Sequence, residues 1–207
     1  MRSDTDFDVL LFDLGGVLID FAGFEEMRRL LPQVSDRSEI RDRWIHSASV
    51  QLFEQGDITP EEFARRLVEE FHLELSAEEF LQEFVSWARG PYPGALPLLR
   101  QLQNSHRIAC LSNSNELHTP VHRASIHPHM DSYYFSDEIG MVKPDREIFD
   151  YVIRDLACSP RRIAFFDDTP VNVEAARECG LNAYIVDGIA ALRAQLQRLG
   201  LLDRFFE

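Results

Sequence analysis

Basic residues are scarce in this chain: 21 Lys and Arg stand against 35 Asp and Glu, a formal net charge of −14 over 207 residues. A surface this acidic argues against a nucleic acid or an anionic membrane as partner, because both are bound through accumulated positive charge. An anionic substrate would need a locally inverted field, from a bound cation and one or two placed Lys or Arg. Cysteine is scarce as well. Cys110, Cys158 and Cys179 are odd in number and scattered, so they make no disulfide framework and fit a reducing cytoplasm. No apolar run reaches membrane-spanning length, and the opening stretch carries Asp4, Asp6 and Asp8, so neither a signal peptide nor a transmembrane helix is expected. Repeats and low-complexity tracts are also absent. What remains is an ordinary globular composition, with length for one good core or a core plus a small inserted unit.

The stretch that organises the chain is Phe12-Asp13-Leu14-Gly15-Gly16-Val17-Leu18. Before it, Val9-Leu10-Leu11-Phe12 is apolar without alternation, as in a strand buried on both faces of a parallel sheet, which is expected over 8–13. Asp13 then stands at the carboxyl end of a buried strand, where open α/β sheets place their ligands, and Gly15 and Gly16 let the backbone turn sharply. An Asp that merely opens a turn is the plainer alternative.

From about 20 to 89 the apolar residues recur at helical spacing, as in Phe24-Met27-Leu30-Leu31 and Phe63-Leu67-Val68-Phe71. Thr59-Pro60-Glu61-Glu62 and Ser76-Ala77-Glu78-Glu79 are helix starts with capping-box form. This segment reads as a bundle of about four helices with no strand in it. Its aromatics, Trp44, Phe53, Phe63, Phe71, Phe80, Phe84 and Trp87, serve mostly as its own core. The breaker cluster Gly90-Pro91-Tyr92-Pro93-Gly94 marks a boundary. Beyond it helices alternate with short apolar strands at 107–112, 132–136, 162–166 and 182–186, which predicts βαβ units and a doubly wound parallel sheet of the α/β class. The bundle is therefore an insertion over the carboxyl ends of the strands, dividing the chain into a Rossmann-like core, 1–19 and 91–207, and a helical cap, 20–90.

Three further stretches fall at strand ends. Ser112-Asn113-Ser114-Asn115 offers small hydroxyls, amides and backbone N–H groups, a seat for a phosphate oxygen or simply a helix N-cap. In Val142-Lys143-Pro144-Asp145 the proline biases Lys143 to an extended conformation and starts the next helix, fixing a lysine just outside the sheet. Phe166-Asp167-Asp168-Thr169-Pro170-Val171-Asn172 puts two acids after an apolar strand. If they approach Asp13 within about 4 Å, each repulsion costs roughly 4 kcal/mol at an effective dielectric of about 20, so the cluster needs a cation. A small all-oxygen set favours Mg²⁺ over zinc or a dedicated Ca²⁺ cage.

In this order and at these spacings, Asp13, Ser112, Lys143 and the Asp167-Asp168 pair resemble the four sequence motifs of the haloacid dehalogenase superfamily, and the insertion resembles its helical C1 cap. Within the superfamily, the opening Asp-Leu-Gly-Gly-Val-Leu, Glu54-Gln55-Gly56-Asp57-Ile58-Thr59, Ser112-Asn113-Ser114-Asn115-Glu116-Leu117-His118-Thr119 and Phe166-Asp167-Asp168 look most like bacterial α-D-glucose-1-phosphate phosphatase-type members. The resemblance implies a Mg²⁺-dependent phosphatase, a monomer or homodimer, acting on a small phosphorylated metabolite. Asp13 would attack phosphorus, Ser112 and Asn113 with Gly15 and Gly16 would bind the phosphoryl group, and Lys143 would offset its charge. Asp13, the Gly15 carbonyl, Asp167 and Asp168 would hold the metal, and Asn172 would orient the acidic loop.

The sequence departs from that pattern at Gly15, where the superfamily's phosphatases usually carry an Asp as general acid and base. Such a group is typically worth about 10²–10⁴-fold. Asp20 and His46 are candidate substitutes. Two alternatives stand beside this reading: a haloacid dehalogenase, which needs no metal and against which Asp167-Asp168 speaks, and a phosphometabolite-binding or regulatory protein with negligible turnover, which the gap at Gly15 keeps open. His118, His122, His127 and His129 crowd together, and their expected reading is a solvated helix and loop, with a zinc site as the alternative.

Overall fold

The computed structural model describes residues 7–34 and 36–202; the acidic stretch 1–6 lies outside the described residues. The elements run β1 (Val9–Phe12), β2 (Ile19–Phe21), α1 (Gly23–Leu30), α2 (Arg37–Ile45), α3 (Ala48–Glu54), α4 (Pro60–Phe71), α5 (Ala77–Phe84), β3 (Ala88–Pro91), α6 (Ala95–Leu102), β4 (Arg107–Ser112), α7 (Thr119–Ile126), β5 (Ser132–Phe135), α8 (Ser136–Ile139), α9 (Arg146–Leu156), β6 (Ile163–Asp167), α10 (Pro170–Glu178), β7 (Asn182–Ile185) and α11 (Gly188–Arg198).

Five strands form one parallel sheet in the order β5-β4-β1-β6-β7. All four residues of β1 are buried, and alternation sends them to opposite faces. Leu10 and Phe12 pack with Leu98, Leu99 and Leu102 of α6 and Leu192 and Leu196 of α11. Val9 and Leu11 pack with Ile148, Phe149 and Val152 of α9 and Val173 and Ala176 of α10. The result is a three-layer α/β core in which β1 lies between β4 and β6, so the chain crosses away on both sides of it. That reversal opens a crevice at the carboxyl end of β1.

A third cluster is built mainly from the inserted helices, with Phe21 and Leu117 packed against it. Phe53 stacks on Phe63 at 4.2 Å between ring centroids, and Phe84 meets Trp87 at 4.9 Å, with Phe80 buried beside them. Thr59 caps α4 through the Glu62 N–H at 3.3 Å, and Ser76 and Glu79 complete a capping box at α5.

The expectation of strand-free sequence over this segment fails at both margins. β2 and β3 pair antiparallel as a two-stranded ribbon through which the chain leaves the core and returns. Strands of three and four residues with a register shift leave no alternation to read. Among the described residues the insertion has five α-helices rather than four. The one overlooked, α3, has seven residues and its start signal is a lone Ser47, which caps the Val50 N–H at 3.2 Å. Pro144 does not start α9, which begins at Arg146 with Asp145 as its N-cap. Among the described residues no helix is long and apolar enough to cross a membrane.

Candidate active site

Asp13 follows β1, Ser112 ends β4 and Asp167 ends β6, so three parallel strands deliver them to one crevice. Lys143 arrives from the loop before α9, and its position is set by Asn113. The Asn113 Oδ1 accepts the Lys143 N–H at 2.8 Å while its Nδ2 donates to the Lys143 carbonyl at 3.0 Å. The ammonium then reaches Asp13 Oδ1 at 2.8 Å, Asp167 Oδ2 at 2.7 Å and the Leu111 carbonyl at 3.0 Å.

Asp167 is wholly buried and also accepts the Thr169 N–H at 2.7 Å and Asn172 Nδ2 at 3.1 Å. Asp168 accepts Thr169 Oγ1 at 2.9 Å and, from the insertion, Arg41 Nη2 at 2.7 Å. One oxygen from each of Asp13, Asp167 and Asp168 lies within 4.8 Å of the others. Gly16 has φ +74°, and a Cβ there would sit 3.0 Å from Asp168 Oδ2, so a glycine is needed for the turn to pass this close. Gly15 has ordinary room, with Phe21 Cβ at 3.6 Å from the ideal Cβ position. Ser112 is buried on the crevice wall and donates to the Asn113 carbonyl at 3.3 Å. Of the backbone donors expected in the 112–115 turn, the Ser114 N–H is already taken by Ser136 Oγ at 2.8 Å.

The electrostatics follow from burial. Asp13 is pushed up to about 7 by desolvation, against the pull of Lys143, with Asp167 and Asp168 adding to the rise. Burial works to lower the Lys143 ammonium, but Asp13 and Asp167 together hold it above its ordinary value. Of the three carboxylates here, Asp13 and Asp167 share the one ammonium and Asp168 is met by Arg41 from the insertion. The donor set is all oxygen, convergent and short of positive charge, which fits a hard divalent cation.

A cavity of about 180 Å³ stands over Asp13, walled by Gly15, Ser112, Asn113 and Lys143 from the core and by Trp44, Glu54 and Phe84 from the insertion. A second, of about 380 Å³, shares Gly15, Phe21, Trp44, Ile45 and Thr169 with it and leads outward past Asp20 and Arg41.

Several expectations are corrected here. Asp20 sits in the outer cavity, 3.8 Å from Arg89, and not on the wall of the inner one. His46 is part of neither cavity wall, and its Nδ1 lies 2.8 Å from the Asp42 carbonyl. His118 and His122 are not solvated. Both are buried on the inner cavity wall, His118 Nε2 donating to the Phe84 carbonyl at 2.9 Å. Burial lowers His118, and burial with repulsion from His118 brings His122 to about 4, so both stay neutral. His127 and His129 lie away from this wall, and among the described residues the aspartate trio is the one metal-ligand grouping, so the zinc alternative falls. Glu54 and Arg41 carried no assigned role in the sequence reading, and both reach the site.

A doubly wound sheet with a carboxylate at its switch point, an acidic cluster beside it and helices folded over the top defines a capped α/β protein with a ligand site at the carboxyl ends of its strands. The chain belongs to the haloacid dehalogenase-like hydrolase family, whose model matches residues 7–180. It is 26% identical over 196 residues to a D-ribitol-5-phosphate phosphatase of Bacteroides thetaiotaomicron, covering 90% of this chain and 95% of that one. It is 29% identical over 190 residues to a phosphatase of Mycobacterium tuberculosis, covering 86% of each. A haloacid dehalogenase-family enzyme of B. thetaiotaomicron, solved with magnesium and inorganic phosphate, superposes with TM-score 0.66 at 27% identity, over 87% of this chain and 94% of that one.

Proposed function

We propose that this chain is a Mg²⁺-dependent phosphomonoester hydrolase for a small phosphorylated metabolite, a sugar or polyol phosphate, working through an aspartyl-phosphate on Asp13. The observation that carries this is the convergence of Asp13, Asp167 and Asp168 within 4.8 Å beside a lysine that binds two of them. Displacement of halide from carbon has no use for such a cluster, which sets the phosphatase reading above the dehalogenase one. The phosphatase relatives and the magnesium and phosphate held by a relative of the same fold support it.

Asp13 attacks phosphorus in this reading, with one carboxylate oxygen fixed by Lys143. Ser112 and the Asn113 backbone, with the turn at Gly15 and Gly16, cradle the phosphoryl oxygens. Asp13, Asp168, Asp167 and the Gly15 carbonyl hold the metal, while Asn172 and Thr169 keep Asp167 in register. Bound there, Mg²⁺ neutralises charge on the phosphoryl group as it transfers. Residues 20–90 act as a cap on the core of 1–19 and 91–207, choosing the leaving group and excluding water from a cavity of about 180 Å³. A cavity of that size suits a small metabolite, and sugar 1-phosphates, toward which the motifs point, belong on the panel. The free thiols of Cys110, Cys158 and Cys179 suit the cytoplasm.

The test is phosphate release from sugar 1-phosphates, sugar 6-phosphates and polyol phosphates, with Mg²⁺ and with chelator, alongside Asp13→Asn. Release that needs Mg²⁺ and disappears in the variant is expected. Halide release from 2-haloacids in chelator, with no phosphate release, would overturn the reading in favour of the dehalogenase. Mg²⁺-dependent ligand binding without turnover would favour a binding protein.

A further inference from the structure

Resting on the phosphatase reading, a chemical gap remains. An alkyl phosphomonoester departs as an alkoxide unless a proton reaches its oxygen, and the turn after Asp13 has no side chain at Gly15 to deliver one. The lysine at the site already binds two carboxylates, and neither Asp20 nor His46 lines the inner cavity. Two carboxyls do: Asp13 and Glu54.

They come from opposite sides. Asp13 rises from the sheet, whereas Glu54 is the last residue of α3 and hangs from the inserted helices. In-line displacement places the leaving oxygen on the far side of phosphorus from the attacking one. With Asp13 attacking from the sheet, the leaving group faces the insertion, from which Glu54 enters the cavity. We infer that Glu54 is the general acid and base of this site, protonating the leaving oxygen in the first step and deprotonating the attacking water in the second.

Glu54 is held for that task. Its Oε1 accepts Trp44 Nε1 at 3.2 Å and its Oε2 accepts Asn113 Nδ2 at 3.0 Å, the same amide that positions Lys143. The turn after it passes through Gly56, at φ +79°, where a Cβ would stand 2.7 Å from the Asp137 carbonyl. Any larger residue there would lift the end of α3 off α8. Burial pushes the Glu54 carboxyl up to about 7, opposed by its two hydrogen bonds and by Lys143 and assisted by Asp137, which suits a group that must give and take a proton near neutrality. The other titratable groups facing the cavity are Asp13 and Lys143 from the core and the neutral His118 and His122 from the wall formed before and within α7.

The proton balance is complete. In the first step the Asp13 oxygen–phosphorus bond forms, the ester oxygen–phosphorus bond breaks, and the Glu54 proton goes to the departing oxygen, releasing a neutral alcohol. In the second, water attacks the aspartyl-phosphate, the bond to Asp13 breaks, and the proton of the water returns to Glu54.

The experiment compares kcat/KM for ribitol 5-phosphate, which needs a proton on its leaving oxygen, with p-nitrophenyl phosphate, which does not, in wild type and Glu54→Gln. The alkyl-to-aryl ratio is expected to fall about 10²–10⁴-fold in the variant. In wild type the same ratio should decline as pH rises through about 7, and taking the ratio cancels titrations of Asp13 and Lys143 that both esters feel. A ratio unchanged by the substitution would show Glu54 to be a prop for Asn113 and overturn the inference. The wild-type pH series tests the same point if the variant does not fold, and a flat ratio overturns it there too. Hydrolysis by wild type of neither ester, nor of any sugar 1-phosphate, sugar 6-phosphate or polyol phosphate, would instead remove the phosphatase reading itself.

Discussion

Replacing Lys143 with Met removes the one ammonium among three carboxylates while nearly keeping side-chain volume. Its Nζ lies 2.8 Å from Asp13 and 2.7 Å from Asp167, with Lys143 and Asp167 side chains 2% and 0% exposed. Each contact is worth about 6 kcal/mol by Coulomb's law at an effective dielectric of about 20. Most of that offsets the cost of burying the charges, and what breaking a buried pair releases is the penalty on the orphaned partners, about 3–5 kcal/mol. For a chain of this size that lowers Tm by about 6–20 °C. The loss also depends on pH in a definite sense. Without Lys143, Asp13 is raised further above its unfolded value of 3.8, so the folded state holds the proton that the unfolded state has released. Stability therefore falls as pH climbs from that value through the folded one, and the deficit against wild type is smallest at acid pH and largest above about 7. Calorimetry in chelator from pH 5 to 8.5 reads this directly, and Mg²⁺ should restore more stability to the variant than to wild type. A Tm within about 2 °C of wild type at pH 8 would refute the reasoning, because the carboxylates would then not depend on this lysine.

Arg41→Ala frees the Asp168 oxygen now paired at 2.7 Å and removes a competing cation, so half-maximal activation should need less Mg²⁺; a higher requirement would mean Arg41 builds the metal site rather than competing for it. Phe63→Ala empties the centre of the insertion, where Phe63 is fully buried against Phe53, Phe80 and Phe84, and should cost about 3–5 kcal/mol in a denaturant titration. Gly15→Asp in the Glu54→Gln background should recover part of the alkyl-ester turnover, since the new Cβ would meet only ordinary contact, with Phe21 Cβ at 3.6 Å. A double variant no better than Glu54→Gln would mean that a carboxyl at 15 does not reach the leaving oxygen.

The core was legible because its signals are local. β1 and β6 are unbroken apolar runs ending in acids, and the parallel sheet follows from their alternation with helices. Asp13, Ser112 and Asp167 could be placed together for the same reason: each stands at or next to a strand end, and parallel strands put those ends on one side, whereas Lys143 comes from the loop before α9 and is held there by Asn113. What escaped was set by pairing rather than pattern. β2 and β3 are strands only because each has the other, 67 residues apart by the pairing of Phe21 with Ala88. The burial of His118 and His122 likewise depends on what covers α7, which the local spacing of four histidines does not contain.

Glu54 and Arg41 escaped for a deeper version of that reason. Glu54 bonds Asn113 across 59 positions and Arg41 bonds Asp168 across 127, each joining inserted helix to core. Residues at strand ends owe their place to the sheet, but a residue on an inserted helix reaches the crevice only through the angle at which the whole insertion settles. That angle is fixed by contacts such as Gly56 on the Asp137 backbone, which no periodicity records. The sequence therefore displays the half of the site that handles the phosphoryl group and hides the half that meets the leaving group. If Glu54 supplies the proton, the blank at Gly15 is a transfer of the acid from the nucleophile's own turn to the insertion, and protonation becomes conditional on that insertion being seated. An enzyme so arranged donates its proton only when water has been excluded, which protects the aspartyl-phosphate until the leaving alcohol has departed.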